Sequence, residues 1–186
     1  IQLYGRYIKS SVVMKMFREL RYQVVTISTI YLFTDVTNAD VYIASNNNPL
    51  VKNDPRVTLT DFEVLFLRTT AFRILTESTD AFIAPLQKQL KSPEEATYER
   101  LNFQFDSLEN IPELPGNKFV FAHIAAPHAP FVFAPDGSFQ VSPNQATGYA
   151  PEIQYINQRM LEILKKIIAT SKFPPVIIIQ GDHGWN

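Results

Sequence analysis

The spacing of apolar and polar positions divides the chain into alternating helices and strands. Val13, Met16, Phe17 and Leu20 recur at three- and four-residue intervals. This predicts a helix with one apolar face, capped by Ser10 or Ser11 and ending near Leu20. Residues 23–28 (QVVTIS) are rich in β-branched residues and read as a strand, and residues 40–44 (DVYIA) as a second, shorter one. A polar loop with three consecutive asparagines follows over residues 45–55. Thr60 with Glu63 has the capping-box pattern and opens a helix to about Leu75, with Phe62, Leu65, Phe66, Phe72 and Leu75 available for packing. Ser92 with Glu95 repeats the signature with Pro93 at the first helical position, and that helix runs to about Leu108.

Residues 118–124 (KFVFAHI) are apolar almost throughout, as a strand covered on both faces would be. Residues 125–150 carry Pro127, Pro130, Pro135 and Pro143 and read as one long loop, a candidate site loop because such loops are uncommon without a role. Pro151 is expected to open a helix to about Ile168 with Ile153, Ile156, Met160, Leu164 and Ile167 on one stripe. Pro174 and Pro175 break it, and residues 176–180 (VIIIQ) predict a last strand with Gly181-Asp182-His183-Gly184 at its carboxyl end. This alternation predicts an α/β fold with a mostly parallel sheet, and the 186 residues suit a single domain.

Composition narrows the chemistry. Hydrophobic residues make up 46% and charged residues 19%, a globular balance. The formal charge of −1 supplies no basic excess for a nucleic-acid backbone. Cysteine is absent, which excludes thiol nucleophiles and Cys-ligated zinc. The six glycines form neither a dinucleotide fingerprint nor a Walker-type phosphate loop. No apolar run approaches the roughly 18 residues of a membrane helix.

The candidate chemistry sits at strand ends. Asp182 and His183 place a carboxylate and an imidazole beyond an apolar strand, a donor pair suited to a divalent metal; a capped, exposed turn is the plain alternative. His128 lies between Pro127 and Pro130, where a stiff loop could present it to an anionic substrate or simply to solvent. His123 reads as a hydrogen-bonded imidazole within its strand. Ser28, Thr29 and Thr34 are hydroxyls at a strand end; any could be a nucleophile, with turn chemistry the plain alternative. Asp35, Asp40 and Asp54 could add carboxylates to a metal, and Glu94 and Glu95 suit a helix start.

Three segments in order carry a resemblance: residues 118–133 (KFVFAHIAAPHAPFVF), the helix over residues 149–164 with Tyr155, Asn157 and Leu161, and VIIIQGDHG ending at Gly184. Together they resemble the sulfatase-like branch of the alkaline phosphatase superfamily, close to lipoteichoic acid synthase-type proteins. Residues 20–25 and 39–43 also look like that branch. The resemblance implies a three-layer α/β/α fold, incomplete at both ends, and a metal-dependent hydrolase or transferase acting on phosphate or sulfate esters. It implies that Asp182 and His183 bind a divalent metal (Mn, Zn, Mg or Ca) and that His128 contacts the substrate anion. The nucleophile and a further acidic ligand are then expected on an earlier segment, so no catalytic nucleophile is assigned within these residues. Gly181, where relatives often carry Ser, and Trp185 depart from the pattern. The resemblance also implies a parent protein anchored by membrane helices, with this domain outside the cytoplasm. The competing expectation is a catalytically degenerate domain of the same fold, serving as a binding or scaffold module.

Overall fold

The computed structural model describes residues 7–29, 31–45, 57–77, 81–181 and 183–184. Its centre is a parallel sheet built on β1 (Gln23–Ile27), with β2 (Val41–Ile43) on one side and β5 (Lys118–Phe121) on the other. Val24 to Ile27 are buried at successive positions, so both faces of β1 are covered. Helix α1 (Val12–Glu19) packs Met14 against Val24 and Val36, joined by Phe119 and Phe121. Phe17 stacks on Phe119 with ring centroids 4.5 Å apart. The Asp40 carboxylate accepts from the Val24 N–H at 2.8 Å and from Arg18 Nε at 3.0 Å, tying the β1–β2 connection to α1. The fold is therefore α/β with a parallel three-stranded sheet.

A second body of packing lies beyond β5. Helix α5 (Pro93–Glu109), the hairpin of β6 (Phe131–Phe133) with β7 (Phe139–Ser142), and helix α6 (Gln145–Thr170) share one core. Leu101, Phe105, Val132, Phe133, Ile156 and Ile163 form its centre. Gly137 closes the hairpin at φ +84°, and a Cβ there would strike the Tyr155 ring, so the turn requires glycine on both counts. Between the two bodies in sequence, β3 (Val57–Thr58) and β4 (Leu90–Lys91) pair in parallel. They flank α2 (Asp61–Thr69), a 3-10 turn at Ala71–Arg73, α3 (Ile74–Glu77) and α4 (Ala84–Gln87).

The structure keeps the helix starts and redraws several other elements. Both capping boxes are present, on Thr60 with Glu63 and on Ser92 with Glu95. α2 stops at Thr69, and its main contacts are with the 3-10 turn and α3, so Phe62, Leu65, Phe66 and Phe72 stay exposed rather than packed. Leu75's side chain and residues 46–56, most of the expected polar loop, lie outside the described residues. In α1 the buried stripe is shifted: Met14 goes in, while Val13, Met16 and Leu20 are exposed. β5 is a sheet edge, half-buried throughout, not a strand covered on both faces. The long loop expected over residues 125–150 contains the β6–β7 hairpin, and α6 begins at Gln145, so Pro151 lies inside the helix. Asn144 provides the earlier start, accepting from the Thr147 N–H.

The largest departure is at residues 176–180, which form no strand. Val176 and Ile178 are 93% and 82% exposed. A β-branched sequence favours extended backbone, but a strand exists only with a ladder partner, and none of the described strands pairs with it.

Glu152 was not anticipated as a core residue. It is fully buried on α6, and its Oε2 accepts from the backbone N–H groups of Val132 at 2.7 Å and Phe133 at 3.3 Å. Oε1 has no hydrogen-bond partner. Burial pushes this carboxyl above its ordinary range against the opposing pull of the two N–H groups. Glu152→Ala should cost about 2–4 kcal/mol, because two buried donors lose their acceptor. The pH sign follows from the raised pKa: the folded chain holds the proton that the unfolded chain releases. Stability should therefore fall as pH rises from the ordinary carboxylate range to the raised value, and Glu152→Gln should lack that slope. Thermal melts of the two chains across pH 4–8 measure both effects.

Candidate functional site

The order β2-β1-β5 makes β1 a divide: one neighbour follows it directly and the other arrives after the helical segments. In open parallel sheets the crevice beyond the carboxyl ends of such strands is where ligands bind. Here the edge is built from Ser28 and Thr29 after β1, the turn around residues 31–36, Tyr42 on β2, His123 after β5, and the side chains of α5 that reach over them.

Thr34 Oγ1 lies 2.7 Å from His123 Nδ1 and 3.3 Å from the Tyr31 carbonyl. The hydroxyl either donates to an unprotonated Nδ1, or accepts from Nδ1–H while giving its own proton to Tyr31. The Tyr31 ring meets the His123 ring edge-on at 5.3 Å. Asp35 accepts from the Thr29 N–H at 3.2 Å and from the Tyr42 hydroxyl at 2.9 Å. Burial, then the hydrogen bond to Asp35, pushes the Tyr42 phenol up to about 12. Gln104 is buried on α5, and its Nε2 donates to the carbonyls of Ser28 at 2.8 Å and His123 at 3.3 Å. A hydroxyl resting on an imidazole is the geometry of a base-assisted nucleophile. At Thr34 the Tyr31 carbonyl competes for the same proton.

The expected site residues are distributed differently. His128 is exposed on the loop after β5, between cis peptide bonds at Ala126–Pro127 and Ala129–Pro130. Its Nδ1 is 2.8 Å from the Ala129 carbonyl, which makes Nδ1 the donor and fixes the ring. His183 is exposed, with Nδ1 2.9 Å from the Gly184 carbonyl. Asp182 and Trp185 lie outside the described residues, as does Asp54. The parallel strand that was to bring residues 181–184 beside His128 is absent, so the sheet does not join the two segments. Among the described residues there is no group of three or more His, Asp or Glu that could hold an ion. A divalent site needs three or four ligands, and His183 alone does not meet that.

His123 is a hydrogen-bonded imidazole as expected, but it lies past the end of β5 and is half-buried rather than a core residue within the strand. Asp35 and Asp40 are occupied by Tyr42 and Arg18, and Glu95 serves the helix cap. Gln104 and Arg100 had no sequence signal as site residues. Their four-residue spacing on α5 becomes informative only once that helix face is known to overlie the strand ends. The open cleft at the start of α5, lined by Leu59, Leu65, Arg68, Leu90, Pro93 and Glu94, contains none of the histidines.

Comparison of the chain with family models, with curated proteins and with solved structures gives no match.

The Tyr42–Asp35 bond is open to direct measurement. The ultraviolet difference titration between the native chain and Tyr42→Phe should show one phenol ionising near pH 12. Asp35→Asn should bring it down toward the ordinary value without reaching it, since burial remains when the charge is removed.

Proposed function

We propose that this chain is part of a domain acting on phosphate or sulfate esters, in the manner of the sulfatase-like branch that its sequence resembles. His128 contacts the ester's anionic group, and Asp182 and His183 contribute to a divalent metal site. The observation that carries the reading is His128 itself. It is exposed and held by the Ala129 carbonyl, on the loop leaving the carboxyl end of a parallel strand. An imidazole fixed by Nδ1 turns Nε2 outward, where it can meet an oxyanion as donor or acceptor according to its charge. Of the described helices, none is long and apolar enough to cross a membrane. The membrane anchor and the extracytoplasmic location belong to the proposal for the parent protein.

Histidine-ring NMR tests the reading. Added Zn²⁺ should shift the His183 ring, and sulfate added afterwards should shift the His128 ring. Calorimetry should give an affinity weaker than about a micromolar, since two ligands are fewer than a divalent site takes. Asp182→Ala should weaken the Zn²⁺ response at least tenfold. A His183 ring indifferent to Zn²⁺ removes the metal assignment. A His128 ring indifferent to the anion favours the binding or scaffold module instead.

A further inference from the structure

Arg100 is a half-buried cation on α5 with no carboxylate against it among the described residues. Its side-chain hydrogen bond goes to the neutral Thr97 hydroxyl at 3.3 Å. Arg159 is matched by Asp106 and Glu109, Lys91 by Glu99, and Arg18 by Asp40. The electrostatic consequences diverge accordingly. Burial lowers the Arg100 pKa from its ordinary value, with only the Tyr31 phenol opposing it. Arg159 is also desolvated, but its hydrogen bonds to Glu109 and Asp106 outweigh that and raise its pKa. A cation drawn partly out of water without a counter-charge is costly, and an arriving anion offsets that cost.

The location is set by the helix. α5 leads through the 3-10 turn at Ile111–Glu113 to the start of β5, so it runs against the strands and its earlier turns overhang their carboxyl ends. Gln104 reaches Ser28 and His123 at that edge. Arg100, four residues earlier on the same helix face, stands about 6 Å farther out at 1.5 Å per residue. The Tyr31 ring packs on His123 at the same edge. The nearest acid in the turn, Asp35, is engaged by Tyr42 and the Thr29 N–H.

We propose that Arg100 is the cation of an oxyanion subsite at the divide between β1 and β5, taking the phosphate or sulfate group of an ester. The guanidinium fork matches two oxygens of such a group. The assignment of an ester rests on the reading above, while the anion contact rests on Arg100 alone.

The probe is inorganic phosphate, titrated without metal into the full chain and followed by NMR at the Arg100 side-chain Nε–H and the Thr34 amide. Both signals should move together and saturate. Arg100→Gln should weaken binding, read at Thr34, at least tenfold, and Arg100→Lys should fall between, since it keeps the charge and loses the fork. Lys165→Gln, which removes an exposed cation outside the site, should change it less than twofold. Backbone spectra confirm that each variant is folded, and Arg100→Lys serves if Arg100→Gln is not. Equal losses in Arg100→Gln and His128→Asn would still place phosphate on Arg100, in one site shared with His128. Unchanged binding in Arg100→Gln with loss in His128→Asn would overturn this proposal and leave the ester reading standing. No saturable response in the native chain would overturn the subsite outright.

Discussion

A single buried amide fastens the place where the parallel ladder runs out. β1 and β5 are paired as far as Thr26 and Phe121, and beyond that their backbones separate. Gln104 spans the gap, giving its Nε2 to Ser28 and to His123. Removing it would strand two strand-end carbonyls, at about 1–3 kcal/mol for each buried polar group left unpaired. More depends on it than stability. It sets the height of α5 over the sheet, and with it the position of Arg100. It also fixes the His123 backbone, and so the imidazole that meets Thr34 and Tyr31.

The second body is organised around a different device. Glu152 inserts a carboxylate under the first residues of the hairpin and accepts two consecutive backbone N–H groups. A carboxylate can do this from a helix because its oxygen accepts from more than one donor at once. The hairpin's aromatic residues then close over α5 and α6: Phe133 contacts Tyr98 and Tyr155, and Phe105 contacts both Phe133 and Tyr155. The loop carrying His128 is held between the sheet edge and this body, with Ile124 and Ala126 packed into the helical core. An exposed histidine on a loop anchored at both ends keeps a defined position without being buried.

What the sequence disclosed was mostly local. Both capping boxes were legible because the residues that make them lie three apart. β1 and β2 were legible because their apolar runs are short and bounded by polar turns. Errors arose where the outcome depends on distant partners. Pro151 looked like a helix start because its ring suits the first turn, but Asn144 lies upstream with a free side chain to cap. Residues 176–180 looked like a strand because they are β-branched, yet pairing is a property of two segments. At the site, His123 and Thr34 could be suspected separately, but 89 residues separate them in sequence. Arg100 and Gln104 look like ordinary polar helix positions until the strand ends beneath them are seen.

Residues 176–179 carry a further consequence. Four β-branched side chains in a row, without charge and largely exposed, have the makings of a template for a foreign strand. Pro174 and Pro175 limit its growth on one side because they lack the N–H that a ladder needs. On the other side Gln180, Gly181 and Asp182 intervene before His183. In solution this makes crowding by its own copies the first hazard for the chain. Association could begin at this segment with both packed bodies still folded, so resistance to heat would be a poor guide to how long a concentrated sample stays dispersed.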